Sequence, residues 1–345
     1  MTTAAPRTIS ARCRLKDVAQ EAGVSVSTAS RVLSGAKGTS SHAVAAVLAA
    51  SQKLGYRPDP VARAMRARTT GLAAMVVPGI GNPFFAELVE AVGSALQDQG
   101  LEMILADSQG SVQAEALRLE TMIDRKVDGL IVIPTDYRAS ALALGYALAR
   151  LPVVQIDRQV DALVGDYVGV DNAFGIRAVL EHVADQGCRD VVFVSDSAAS
   201  STGRNRLEAF DQVIRRVPGL RARPSLLGSF SIAFGREAVQ KLTGREPLPD
   251  AIVCGSDLIA LGAIRELHRQ EIAVPKAVKI TGFDGILFSE LCDPPLTTLK
   301  QPLETIASEA VRLLCARMNG DASPPRRSEI APALQVHQSS LAGHS

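Results

Sequence analysis

No stretch of about 18 uninterrupted apolar residues occurs in the 345-residue sequence, and no apolar run follows Arg7, Arg12 and Arg14. Both absences argue against membrane insertion and export, and point to the cytoplasm. The five cysteines, Cys13, Cys188, Cys254, Cys292 and Cys315, are odd in number, scattered, and include no Cys-x-x-Cys pair. They argue against a disulfide framework and, with no histidine at ligand spacing, against a zinc site, so reduced thiols and no metal or cofactor are expected. A Gly-x-Ser-x-Gly elbow is missing too. Ser195, His182 and Asp196 could be grouped as a hydrolytic triad, but His182 falls inside a helical pattern, and no enzyme is expected. Beyond Pro332 the tail has none of the sustained apolar heptads that a tetramerising coiled coil requires.

Net charge is only +1, yet it is unevenly placed. Residues 1–70 hold 11 Lys and Arg against 3 Asp and Glu, net +8, leaving 26 against 33, net −7, for the rest. A basic head on an acidic body suits a nucleic-acid-binding segment joined to a domain with another task. With 47% apolar residues, the chain has material for two or three cores.

Residues 1–13 read as a disordered lead, and a helix, turn and helix follow within 14–57. Leu15, Val18, Ala19 and Ala22 share one helical face, Gly23 breaks the helix, and Ser25 can cap a second helix from Val26 to Leu33. Val24, Ala29, Val32 and Leu33 supply the contact between two helices too short to stand alone, leaving Val26, Ser27, Ser30 and Arg31 outside. Such a helix fits the major groove, where arginine can donate two hydrogen bonds to guanine. A plain helical hairpin with a solvated Arg31 is the bland alternative. Ser40 or Ser41 can start a third helix, with Val44, Val47, Leu48 and Leu54 facing inward and Gly55 closing it. In 58–70, Asp59 and Pro60 can begin a marginal basic helix, 61–67, with Arg63, Arg66 and Arg68 around Met65. It suits minor-groove insertion, or it is an ordinary charged linker.

From Gly71 strands and amphipathic helices alternate. Strands are expected at 72–77, 102–106, 129–133, 153–156, 191–195, 251–254 and 278–281, with helices at 84–99, 113–126, 174–186, 204–215, 233–242, 257–269 and 303–318. That alternation implies two doubly wound parallel-sheet subdomains. The first is expected over about 71–168 and 299–325, the second over about 169–298 and 326–340. Ligands sit beyond the carboxyl ends of such strands, where the chain places Asn82, Phe84, Ser108, Thr135, Asp157 and Arg158, then Ser195 to Thr202, Phe230, Asp257 and Asp284. Two halves presenting these groups to each other form a cleft for a polar small molecule.

With these residues in view, the chain resembles the LacI/GalR family of bacterial regulators from Leu15 to Val336. The resemblance is carried by Asp17-Val18-Ala19 through Ser30-Arg31-Val32-Leu33, Leu54-Gly55-Tyr56 and Ala62-Arg63. In the body it rests on Asn82-Pro83-Phe84-Phe85, Asp128-Gly129-Leu130-Ile131, Asp171-Asn172, the run from Ser256 to Ala263, Gly282-Phe283-Asp284 and Leu296-Thr297-Thr298-Leu299. It implies a small all-α helix-turn-helix domain, a hinge helix and an α/β core like a periplasmic binding protein. It further implies a homodimeric repressor of a pseudo-palindromic operator, controlled by a small-molecule effector.

On that likeness, Val26, Ser27, Thr28, Ser30, Arg31, Tyr56, Ala62, Arg63 and Met65 contact double-stranded DNA. Phe84, Ser108, Asp157, Arg158, Thr202, Arg206, Phe230 and Asp257 line the effector pocket, Asp257 accepting paired donors, Arg206 clamping acceptor oxygens and an aromatic ring stacking on the ligand. Ser200 stands where purine-responsive relatives carry Arg, which favours a sugar or sugar derivative over a purine. Met65 stands where Leu is usual and Asp59 where Asn is common, and Ala43, Val44 and Ala46 occupy third-helix positions often held by Thr and Arg. A sensor with a weakened DNA-binding head is the competing reading.

Overall fold

The computed structural model describes residues 13–33, 38–56, 69–161, 165–197, 199–244 and 247–341. The chain separates into two compact units, 1–70 and 71–345. The marginal helix expected at 61–67, with Ala62, Arg63 and Met65, lies outside the described residues, as does nearly all of the expected lead.

Helices α1 (Leu15–Glu21), α2 (Val26–Leu33) and α3 (Ser41–Lys53) form the first unit. Gly23 takes the turn at φ 65°, a conformation open to glycine, and Ser25 Oγ accepts the Thr28 N–H at 3.1 Å. Ser40 caps α3 through the Ala43 N–H, and Lys53 ties α3 to Glu21 of α1 at 2.6 Å. Val18, Ala19, Ala29, Val32, Val47 and Ala50 make the core. Leu48, expected inside, is 53% exposed. At about 100° per residue it sits well around the helix from Val47, and the stripe of Val47, Ala50 and Leu54 turns it outward.

The second unit opens with β1 (Leu72–Val77), α4 (Pro83–Asp98), β2 (Glu102–Asp107), α5 (Val112–Asp124), β3 (Gly129–Val132), α6 (Ala141–Leu148), β4 (Val153–Ile156) and β5 (Asp166–Val170). It continues with α7 (Asn172–Asp185), β6 (Asp190–Asp196), α8 (Ser201–Val213), β7 (Arg221–Ala222), β8 (Leu226–Gly228), α9 (Ile232–Thr243), β9 (Ala251–Cys254), α10 (Asp257–Arg269) and β10 (Lys279–Thr281). The last elements are α11 (Phe288–Leu291), β11 (Thr298–Lys300), α12 (Leu303–Met318), β12 (Arg327–Ile330) and β13 (Ala333–Gln335).

The first sheet runs β12-β5-β4-β3-β1-β2 and the second β10-β9-β6-β7, with β8 also on β6; every pairing in both is parallel. Side chains alternate between faces with period two: Ala73, Met75 and Val77 enter one core, Ala74 and Val76 the other. Val191 and Phe193 are divided from Val192 and Val194 in the same way. In each half the first strand, β1 or β6, has neighbours on both sides, so the order reverses there and leaves a crevice at the carboxyl ends.

Two boundaries differ from the sequence expectation. β5 spans the expected change at 168 and pairs with β4, so the chain leaves the first sheet only after Val170. β12, expected in the second half, pairs with β5 at the first sheet's edge, and only then does β13 pair with β11. Both strands escape hydropathy because β5 opens with Asp166 and contains Gly169, while β12, Arg-Ser-Glu-Ile, has one apolar residue. Helix α6, Ala-Leu-Ala-Leu-Gly-Tyr-Ala-Leu, carries no charged residue and so has no polar face to set a helical period.

Candidate functional site

On the head, α2 turns Ala29 and Val32 inward while Val26, Ser27 and Arg31 are exposed and Ser30 half-buried. Thr28 is committed to the helix start, its hydroxyl 2.8 Å from Ser25 Oγ, and Ser27 Oγ lies equally close to Ser25. Tyr56 packs on the head's core, its N–H bonded to Ser51 O and its carbonyl accepting the Ser51 hydroxyl. The arginine and the small exposed side chains thus share one face of one helix.

In the second unit, the carboxyl ends of the two sheets meet in a charged cluster. Asp157 follows β4 at φ 60°, a strained backbone for a non-glycine residue. Its Oδ2 lies 3.7 Å from Arg158 Nε, but neither Asp157 Oδ1 nor Arg158 Nε has a hydrogen-bond partner, although both atoms are buried. Burial pushes the Asp157 carboxyl up, against the pull of Arg158 and Arg206, and pushes the Arg158 guanidinium down, against Asp157 and Asp196. Arg158 sits 5.3 Å from the Phe85 ring and reaches Thr135 O through Nη1 at 3.5 Å.

Arg206 projects from α8, 2% exposed. Its Nε donates to Asn172 Oδ1 at 2.8 Å, its Nη1 to Gly255 O at 2.6 Å and to Asp284 Oδ1 at 3.4 Å, and its plane lies 3.5 Å over Phe283. Phe230 is half-buried, 5.8 Å from the same guanidinium. Contacts across the halves complete the rim: the Gln159 N–H donates to Ser201 Oγ at 3.0 Å, and the Tyr137 N–H to Ala199 O at 2.8 Å.

Other expected pocket residues face inward. Asp257 is 0% exposed and spends its carboxylate on the Gly285 and Ile286 N–H groups and the Thr298 hydroxyl, so it staples the fold where sequence reasoning gave it ligand donors. Phe84, 3% exposed, belongs to the first half's core and presents no face for stacking. Ser108 Oγ is held by Val77 O and Thr135 Oγ1, and Thr202 Oγ1 lies 3.2 Å from Ser200 Oγ. Asp196 accepts the Ser200 hydroxyl at 2.8 Å.

Asn172 and Asp284 hold Arg206 in place, contacts that sequence alone does not reveal. Asp171 caps α7 as its position suggests, but Asn172 turns back to Arg206, a partner 34 residues away with no local signal. Asp284 was visible as a strand-end acid, without its Arg206 and Gln301 contacts. The triad grouping fails geometrically: His182 Nε2 lies 2.7 Å from Ser340 Oγ, while Ser195 Oγ has no partner. Among the described residues, no cluster of three His, Cys, Asp or Glu could hold a metal, and no helix is long and apolar enough to cross a membrane.

Residues 14–59 match the description of the lacI family of bacterial regulatory proteins, and residues 180–340 that of a periplasmic binding protein-like domain. The chain is 31% identical over 327 residues to the HTH-type transcriptional repressor PurR of Pasteurella multocida (strain Pm70), covering 94% of this chain and 98% of the relative. It is 30% identical over 333 residues to the ribose operon repressor of Halalkalibacterium halodurans, covering 96% and 98%. Among solved structures, the Lac repressor dimer bound to operator and the anti-inducer ONPF superposes with a TM-score of 0.87 at 24% identity, over 96% of this chain and 99% of that one. A complex of the transcriptional regulator CelR with cellobiose superposes at 0.71 and 29% identity, over 95% and 100%. End-to-end identity to named repressors, joined to a helix-turn-helix head and a two-sheet core, means that the chain belongs to the LacI family of bacterial regulatory proteins.

Proposed function

We propose that the protein is a homodimeric transcriptional repressor that reads a pseudo-palindromic operator and releases it when a polyhydroxylated effector, a sugar or sugar derivative, enters the cleft. The head supplies Arg31 as the guanine reader, with Val26, Ser27 and Ser30 beside it on α2. Thr28 and Tyr56 support that helix and can add phosphate contacts from its start and from the end of the head. Ala62, Arg63 and Met65 act in the linker, Met65 as an apolar wedge in the minor groove.

The observation that carries the effector reading is the neighbouring pair of Asp157 Oδ1, a buried acceptor, and Arg158 Nε, a buried donor, neither of which has a hydrogen-bond partner. A sugar hydroxyl both donates and accepts, so one ring edge completes the two together and removes the cost of leaving them unpaired. Thr202 and Arg206 lie across the cleft from this pair, and Phe230 supplies an aromatic edge for the ring's apolar face. Ser108, Phe84 and Asp257 shape the walls from behind. A flat heterocycle is the second reading, because Phe230 and the Arg206 guanidinium together offer a stacking site. A coupling of about 1–3 kcal/mol between cleft and operator suffices for control.

Thermal unfolding against sugars, sugar phosphates, sugar acids and purines tests the effector, since a ligand at 100 times its Kd stabilises by about 2.7 kcal/mol. A sugar hit that Asp157→Asn abolishes supports the reading, and a purine hit alone replaces it. Fluorescence anisotropy with duplexes selected from random pools tests the head: equal affinity for selected and scrambled DNA would remove operator recognition.

A further inference from the structure

Among the described residues, four buried carboxyl groups, Asp157, Asp196, Asp257 and Asp284, meet two guanidiniums, Arg158 and Arg206, at the strand ends. Arg158 stands in the field of Asp157, Asp196 and Asp284, and Asp257 in that of Asp284. Lys300, next to Gln301, is exposed, and solvent screens its charge. Negative charge alone defines no ligand, and the vacant atoms of the cleft supply the second observation. Asp157 Oδ1 is joined there by Gln301 Oε1. Gln301 is 2% exposed and its Nε2 donates to Asp284 Oδ1 at 2.9 Å, the oxygen that Arg206 Nη1 reaches at 3.4 Å, while its Oε1 has no hydrogen-bond partner. These two acceptors stand against one vacant donor, Arg158 Nε; the unpartnered hydroxyls of Ser195 and Thr281 can donate or accept and leave the balance unchanged. The cleft therefore asks for a ligand richer in donors than in acceptors.

We propose that the effector is an amino sugar, not a neutral sugar, a sugar acid or a sugar phosphate, an inference that rests on the sugar reading of the same cleft. Its amine gives an N–H to Asp157 Oδ1 and its charge answers Asp157 and Asp284, while ring hydroxyls serve Gln301 Oε1 and Arg158 Nε. A neutral sugar would complete the hydrogen bonds and leave the acid excess. A carboxylate or phosphate would add to it, because both guanidiniums already face carboxylates. Burial, and for Asp284 also the nearby Asp157, holds both carboxyls above their ordinary range, Asp284 up to about 7. The two guanidiniums do not offset that rise, and an ammonium beside them opposes it.

Calorimetric titration of the full-length protein at about pH 6, where an amine is protonated, tests the proposal with matched compounds. Glucosamine, galactosamine and mannosamine are compared with glucose, galactose and mannose, and with gluconate and glucose 6-phosphate. At least one amine is expected to bind about tenfold more tightly than its neutral parent, and neither anion to bind. Asp284→Asn should bring that amine and its parent to nearly equal affinity, whereas Gln301→Leu, which keeps every carboxyl group, should weaken both alike. The comparison in the parent protein stands even where a variant fails to fold. Neutral sugars that bind as tightly as their amines, or an anion that binds more tightly, overturn the amine and leave the sugar reading intact. Silence from all these compounds, or binding of a purine alone, overturns both.

Discussion

Thr298 donates its hydroxyl proton to Asp257 Oδ1 at 2.6 Å, while Oδ2 of the same carboxylate holds the Gly285 and Ile286 N–H groups. One fully buried side chain at the start of α10 thereby fixes both the corner after β10 and the strand β11. Asp257→Ala leaves two backbone donors and a hydroxyl without an acceptor, and should cost about 2–5 kcal/mol in urea unfolding. A loss below about 1 kcal/mol would show that the network is dispensable.

Helices α9 and α10 approach through glycine. A Cβ on Gly262 would lie 2.2 Å from Ile232 O, and one on Gly235 2.1 Å from Ile259 O. Neither contact is with a flexible side-chain end, so Gly262→Ala should force the helices apart and lower stability by about 1–3 kcal/mol. An unchanged denaturation midpoint would mean that the helices shift freely.

Asp284 gives the fold a definite pH dependence. Burial raises its pKa to about 7, with Asp157 adding to the rise and Arg206 and Gln301 opposing it; the Asp257 carboxyl is likewise held up, by burial and then by Asp284. A carboxyl whose folded pKa exceeds its unfolded value stabilises at low pH and loses that contribution as pH rises through the folded value. Relative to Asp284→Asn, the parent chain should therefore lose stability between about pH 4 and 7. Parallel melting curves for the two proteins across that window would contradict the shift.

The head offers a sharper contrast. Arg31→Ala should weaken selected-operator binding by about 1–3 kcal/mol per half-site and relax preference at one base pair, leaving non-specific binding nearly unchanged. A uniform loss on all duplexes would recast Arg31 as a phosphate contact.

In the cleft, Asp157→Asn should lower effector affinity by about 1.5–3 kcal/mol, because a charged acceptor becomes neutral. Calorimetry with the effector found by thermal shift measures it. Full affinity in the variant would move the ligand away from Asp157.

Much of this was readable in one dimension. Strands β1, β4 and β9 and helices α10 and α12 begin and end where apolar runs and helical periodicity put them, because local pattern and burial agree there. Strand β12 was not legible, since its order comes from pairing with β5 rather than from its own side chains. At the site, Asp157 and Arg158 are sequence neighbours at a strand end and could be picked out together. Arg206 was identified without its partners, which come from residues 172, 255 and 284. Asp257 shows the opposite failure: an acid at a strand end has the same appearance whether it faces a ligand or a loop's N–H groups.

The pairing of β12 with β5, across some 160 residues, also sets a timetable for synthesis. A nascent chain has delivered all of β6 to β10 before the residues that close the first sheet's edge leave the ribosome. The second half, later in the sequence, can therefore finish its sheet first, while the earlier half waits with β5 unpaired on one side. Translation that stops before Arg327 leaves that parallel edge open, so quality control would meet its hazard at the beginning of the core although the damage lies at its end.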